Sequence, residues 1–117
     1  MKVAIIGSRN IVVKNFSPYL PKECSEIVSG GAMGIDRCAA EYAKANGLIL
    51  TEFLPQYQRY GRGAPIVRNK QIVEYADYVL AFWDGSSRGT KSVIDICKGL
   101  EKPYRVILPS ELTSEKG

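Results

Sequence analysis

Short runs of nearly continuous apolar residues, rich in β-branched side chains, recur along the chain at Lys2–Ile6, Glu26–Ser29, Leu48–Phe53, Tyr78–Trp83 and Tyr104–Leu108. Such runs lack the strict polar–apolar alternation of a half-exposed sheet, so they predict strands covered on both faces, Tyr78–Trp83 most completely. Between them the period changes. From Met33 to Ala45 the positions Ile35, Cys38, Ala39, Tyr42 and Ala43 recur at spacings of three and four, and Asn46-Gly47 stops the run, which predicts a helix. Ile66–Tyr75, introduced by Pro65, and the stripe Val93, Ile96, Cys97, Leu100 predict two more. Ser17-Pro18 reads as an N-cap followed by a proline at the first helical position, which predicts a short helix over Pro18–Cys24 with Pro21 in its opening turn. Residues 55–65 are polar, tyrosine-bearing and interrupted by glycine; they show neither period and read as a functional loop.

Strands alternating with helices imply an α/β fold: a parallel sheet of about five strands with helices on both faces, because each right-handed crossover lays its helix on one side. With 117 residues there is material for one hydrophobic core. One domain over residues 1–109 is expected, followed by a frayed tail over 110–117. The apolar runs are far shorter than the roughly 20 residues of a membrane-spanning helix, and Met1-Lys2 runs directly into the first strand. Three widely spaced cysteines, Cys24, Cys38 and Cys97, form neither a disulfide framework nor a zinc spacing. They read as small buried residues, and a reducing cytoplasm is the expected location.

The sequence contains no histidine, which removes Ser-His-Asp and Cys-His catalysis and imidazole metal ligands. The net charge of +4 suits an anionic ligand, but the basic residues are dispersed and charge alone selects no partner.

Three strands run into loops of small residues: Gly7-Ser8-Arg9, Ser29-Gly30-Gly31-Ala32-Met33-Gly34 and Asp84-Gly85-Ser86-Ser87-Arg88-Gly89-Thr90. In an open parallel sheet the carboxyl ends share one edge, and ligands bind where neighbouring crossovers leave in opposite directions. With strand order 3-2-1-4-5 that point lies between strands one and four, so the first and third loops face each other with the second alongside. Glycines let backbone N–H groups approach phosphate oxygens, and each loop feeds the positive end of a helix. The expected guest is an anion. Ser8, Ser29, Gly31, Ala32, Gly34, Gly85 and Ser87 join Gly7, Gly30, Gly89 and Thr90 as candidate ligand contacts on this basis.

Arg9 follows the first glycine turn, and Arg68-Asn69 opens a helix after Gly63-Ala64-Pro65, so both arginines can reach the same edge. Asp36 sits in the first turn of its helix, where stabilising the dipole competes with ligand contact. Asp84 ends a buried strand at the proposed crevice, where turn formation competes. These two are the carboxylates nominated for any catalysis. The first turn lacks G-x-G-x-x-G and the chain lacks G-K-[ST], so no dinucleotide or ATPase assignment follows and no cofactor or metal is expected.

Taken in order, Ile27-Val28-Ser29-Gly30-Gly31-Ala32 through Gly34-Ile35-Asp36, then Arg68-Asn69, Ala76-Asp77 and Asp84 to Thr90 resemble the SLOG superfamily. The similarity runs from about Val3 to Leu108. That group includes DNA-processing protein A (Smf), the LONELY GUY phosphoribohydrolases and small stand-alone members related to YspA and YpsA, which resemble this chain in size and in Ala64-Pro65-x-x-Arg68-Asn69. The resemblance implies a Rossmann-like three-layer sandwich that binds or senses a nucleotide or nucleotide derivative. The LONELY GUY pattern implies release of a base from a nucleoside monophosphate, but its catalytic glutamate, three residues after Gly89-Thr90, corresponds here to Val93. Asp95 lies about 200° round the helix from that position. The DNA-processing pattern implies single-stranded DNA as a further alternative, with Tyr57, Tyr60, Arg59 and Arg62 available to stack on bases and neutralise phosphates. Apolar helix surface left over from the core is compatible with a homodimer, and no sequence feature marks its interface.

Overall fold

The computed structural model describes residues 1–113. Strands β1 (Lys2–Gly7), β2 (Glu26–Ser29), β3 (Ile49–Glu52), β4 (Tyr78–Phe82) and β5 (Tyr104–Ile107) form one parallel sheet in the order β3-β2-β1-β4-β5. This is the expected Rossmann-like α/β arrangement. Helices α1 (Ile35–Ala45), α3 (Ala64–Tyr75) and α4 (Arg88–Leu100) carry the crossovers, and a single turn α2 (Tyr57–Tyr60) precedes α3. A five-residue helix, α5 (Pro109–Thr113), ends the described chain.

Side chains of successive strand residues point to opposite faces, so a continuous apolar strand serves two cores at once. Val3 and Ile5 of β1 join Ile27, Leu80 and Phe82 beneath α1, whose Ile35, Ala39 and Ala43 are fully buried there. Ala4 and Ile6 join Val28, Val79 and Ala81 beneath α3 and α4, which contribute Ile72, Val73, Val93, Ile94 and Cys97. Burial pushes the Cys97 thiol up to about 11, so it behaves as a packed apolar group. No helix among the described residues is long and apolar enough to cross a membrane.

Two expectations need correction. No helix forms over Pro18–Cys24; the segment is a succession of turns, with Tyr19 N–H and Leu20 N–H both donating to Phe16 O. With Ser17 as the cap, Pro21 would be the fourth helical residue, whose N–H makes the first intrahelical bond, and proline cannot supply it. Proline also disfavours the α conformation at Leu20 before it. The segment is held by aromatic packing instead: Phe16 and Tyr19 both meet Phe82 edge-on, at centroid distances of 5.4 and 5.3 Å. The loop over residues 55–65 is also more ordered than its pattern suggests. Gln56 O accepts from Arg59 N–H and Tyr60 N–H to close α2, and a 3-10 turn over Gly61–Gly63 leads into α3. Neither turn buries a residue, so neither has an apolar period to detect.

Smaller differences lie at element ends. Helix α1 begins at Ile35 because Gly34, at φ 76°, breaks the helical path. Gly89 and Thr90 belong to the first turn of α4. Residues 110–113 of the expected tail are helical, continuing α5 from Pro109, with Glu111 accepting from Leu108 N–H at 2.8 Å, and 114–117 lie outside the described residues.

Phe16 is fully buried without belonging to any helix or strand, so it anchors the 10–24 segment to the sheet. Phe16→Ala is expected to cost about 3–5 kcal/mol in urea unfolding; a loss under about 1 kcal/mol would show that the segment is held by other means.

Candidate functional site

The carboxyl ends of β1 and β4 are stitched together just beyond the last sheet pair. Ser8 N–H donates to Phe82 O at 2.9 Å, and Asp84 N–H donates to Ser8 Oγ at 3.1 Å. The first and third loops therefore leave from one point. The second loop is locked to the first by backbone contact: a Cβ on Gly34 would lie 2.6 Å from both Cα and O of Arg9, so only glycine fits there, quite apart from its positive φ.

Between the three loops and α3 lies a cavity of about 260 Å³. Gly7 and Arg9 come from the first loop, Gly30 and Ala32 from the second, Asp36 from the start of α1, Arg68 and Asn69 from α3, and Ser87, Gly89 and Thr90 from the start of α4. Ten of the sixteen residues nominated from sequence thus surround one space. The remaining six do not line it, and most of them brace the loops. Ser8 is buried in the stitch just described. Ser29 Oγ donates to Asp36 O and accepts from Gly31 N–H, at 3.3 and 3.4 Å. Gly31 and Gly34 supply positive-φ corners. Gly85 faces a separate cleft on the other side of the third loop.

Asp84 folds back on its own loop. Its Oδ1 accepts from Ser86 N–H at 2.9 Å and Ser87 N–H at 2.8 Å, and these bonds hold its carboxyl below the usual carboxylate range. Turn formation is its structural role. Ser87 then caps α4 by accepting from Thr90 N–H at 3.4 Å, while the N–H groups of Arg88 and Gly89 find no acceptor among the described residues. Gly89 thus leaves a free N–H in the part of α4 that borders the cavity, as helix starts generally do.

Arg68 provides the fixed positive charge. Its Nη1 donates to Gly30 O at 2.7 Å and its Nε to Asn69 Oδ1 at 2.9 Å, leaving Nη2 without a partner among the described residues. Gly30 permits this: a Cβ there would meet Arg68 Nη1 at 2.7 Å and Asp36 Oδ2 at 2.9 Å. Asp36 is buried, and its Oδ2 accepts from Ala32 N–H at 3.1 Å. Burial pushes its carboxyl up to about 6, against the opposing pull of the Ala32 N–H and the Arg68 charge. Among the cavity residues it is the one carboxylate.

Sequence reasoning missed the apolar part of the wall. Ile6, Pro65, Ile72 and Val93 complete it, and Tyr57 projects from α2. The spacings of these apolar residues signalled only core packing, whereas Tyr57 was expected in a functional loop as a residue able to stack on bases. The volume lies just below the roughly 300–1,000 Å³ typical of drug-sized sites. That space is too small for a dinucleotide.

Because the folded pKa of Asp36 is raised, the stability conferred by its neutral form is fully present below about pH 4 and is lost as pH rises through about 6. Relative to Asp36→Asn, the wild type is expected to lose up to about 3 kcal/mol between pH 4 and pH 7 in urea titrations. A constant difference across that range would contradict the burial account.

No family model matches the chain, and no curated protein matches it. Among solved structures it resembles DNA processing protein A from Helicobacter pylori, described for its single-stranded DNA binding mode. The TM-score is 0.71 with 25% sequence identity, and the match covers 91% of this chain. The chain spans 64% of the length of that protein. The likeness makes this chain a relative of the DNA processing protein A family, sharing its Rossmann-like core.

Proposed function

We propose that the cavity binds a nucleotide or nucleotide derivative through its phosphate, and that the chain is a binding or sensing module. The observation that carries this reading is the convergence of Arg9, Arg68 and the start of α4 on a single cavity that holds one carboxylate, Asp36. An anion placed there meets two arginines and helix-start amide N–H groups against a single carboxylate. Hydrolysis of an N-glycosidic bond is the weaker reading: Asp84 is engaged by its own turn, and Val93 stands on the wall where a catalytic glutamate would be expected.

A specific observation favours single-stranded DNA as the second reading. The related structure is described as binding it, and here Tyr57 reaches the cavity from an exposed turn that also carries Arg59 and Tyr60. A strand entering the cavity would pass this turn.

In a thermal-shift panel of mononucleotides, at least one is expected to raise Tm saturably, and Arg68→Ala to weaken its binding by about tenfold or more. No shift with any nucleotide, together with no effect of Arg68→Ala, would defeat the reading. If the natural ligand is a strand, four arginines (Arg9 and Arg68 of the cavity, Arg59 and Arg62 of the turns before α3) are expected to give a slope of about −3 in log K against log salt for oligo(dT). A slope near zero would exclude the strand.

A further inference from the structure

The chain contains one tryptophan, and it lies outside the cavity described above. Trp83 directly follows β4, and its Nε1–H donates to Ser87 O at 3.0 Å, fixing the indole against the base of the third loop. Part of the ring packs on the core layer beneath α4. The rest walls an open cleft of about 620 Å³ shared with Ser86, Arg88, Lys91, Asp95 and Ile96. The indole makes no aromatic or cation contact among the described residues.

The charges of this cleft are poorly explained by stability. Arg88 is exposed, has no ion pair among the described residues, and occupies the first position of α4, where a cation opposes the helix dipole. Lys91 pairs with Asp95 at 2.9 Å across one turn, an exposed bond that yields easily to a better anion. Two cations against one carboxylate leave the cleft net positive.

Its position relative to the cavity is the decisive point. Along the third loop and the first turn of α4, Gly85, Ser86 and Arg88 face the cleft, whereas Ser87 and Gly89 face the cavity. The two sites stand back to back across a few residues, and the cavity has room for one nucleotide only.

We propose that the Trp83 cleft is a second nucleotide subsite, in which the neighbouring base of a single strand stacks on the indole while Arg88 meets its phosphate. This rests on the nucleotide-binding reading of the cavity and deepens it: the ligand is a strand of at least two nucleotides. A rigid, partly exposed indole is a sequence-tolerant platform for any base, and an unpaired arginine beside it supplies the backbone contact.

Because Trp83 is the sole tryptophan, its emission reports occupancy of the cleft directly. The probes are thymidine 5′-monophosphate and a six-residue oligo(dT), with cavity binding followed independently by thermal shift. The monophosphate is expected to raise Tm while leaving the emission nearly unchanged. The oligonucleotide is expected to quench it saturably and to bind more tightly. Trp83→Ala is expected to weaken the oligonucleotide by about tenfold or more and Trp83→Phe to restore most of the loss, with monophosphate affinity unaltered by either. Arg88→Ala, an exposed change, is expected to reduce the salt slope by about 0.7. If the oligonucleotide binds no more tightly than the monophosphate and leaves the emission unchanged, the subsite is wrong and the cavity reading stands. If neither ligand binds, the cavity reading falls with it. Emission that shifts with protein concentration alone would assign the cleft to a second copy of the chain and overturn the proposal.

Discussion

The backbone bond from Ser8 N–H to Phe82 O continues the pairing of β1 and β4 one step past the sheet, and the geometry of the edge follows from it. The chain leaving β1 turns toward β2, while the chain leaving β4 turns toward β5. Their loops must diverge from a shared origin and open a crevice between them. Ser8, buried and accepting from Asp84 N–H, holds that origin closed to water. Contact of Gly34 with the backbone of Arg9 then brings the second loop against the first. Three loops distant in sequence are thereby held without any of them needing a regular structure.

Electrostatics follow from this packing. Arg68 is drawn into the edge by Gly30 O, at a point where only glycine leaves room for the guanidinium. Asp36 is buried by the same closure, which raises its carboxyl to about 6, and it is the one carboxylate set against Arg9 and Arg68. The result is a small polar space with a positive bias, lined on its far side by Ile6, Ile72 and Val93.

Most of the sheet was legible in the sequence because continuous apolar strands and 3.6-residue stripes are strong signals; right-handed crossovers alone allow more than one strand order, and the structure selects the expected 3-2-1-4-5. The cap pattern at Ser17-Pro18 misleads because Pro21, though in the opening turn, is the residue whose N–H would make the first helical bond. Helix α2 left no trace because an exposed single turn has no apolar face. For the candidate site, residue type located the right edge but not the right role. Ser8, Ser29 and Asp84 have the chemistry of ligand contacts, yet their hydrogen bonds are spent on the loops themselves. Tyr57 and Val93 reach the cavity through tertiary placement, which no local spacing records.

The central claim is that one anionic ligand touches all three loops at once. An amide NMR titration with thymidine 5′-monophosphate tests it most directly. The expected result is saturable shifts of the Arg9, Ala32, Gly89 and Thr90 amides that share one Kd. Shifts confined to a single loop, or centred on the opposite edge of the sheet around Glu26 and Tyr75, would contradict it.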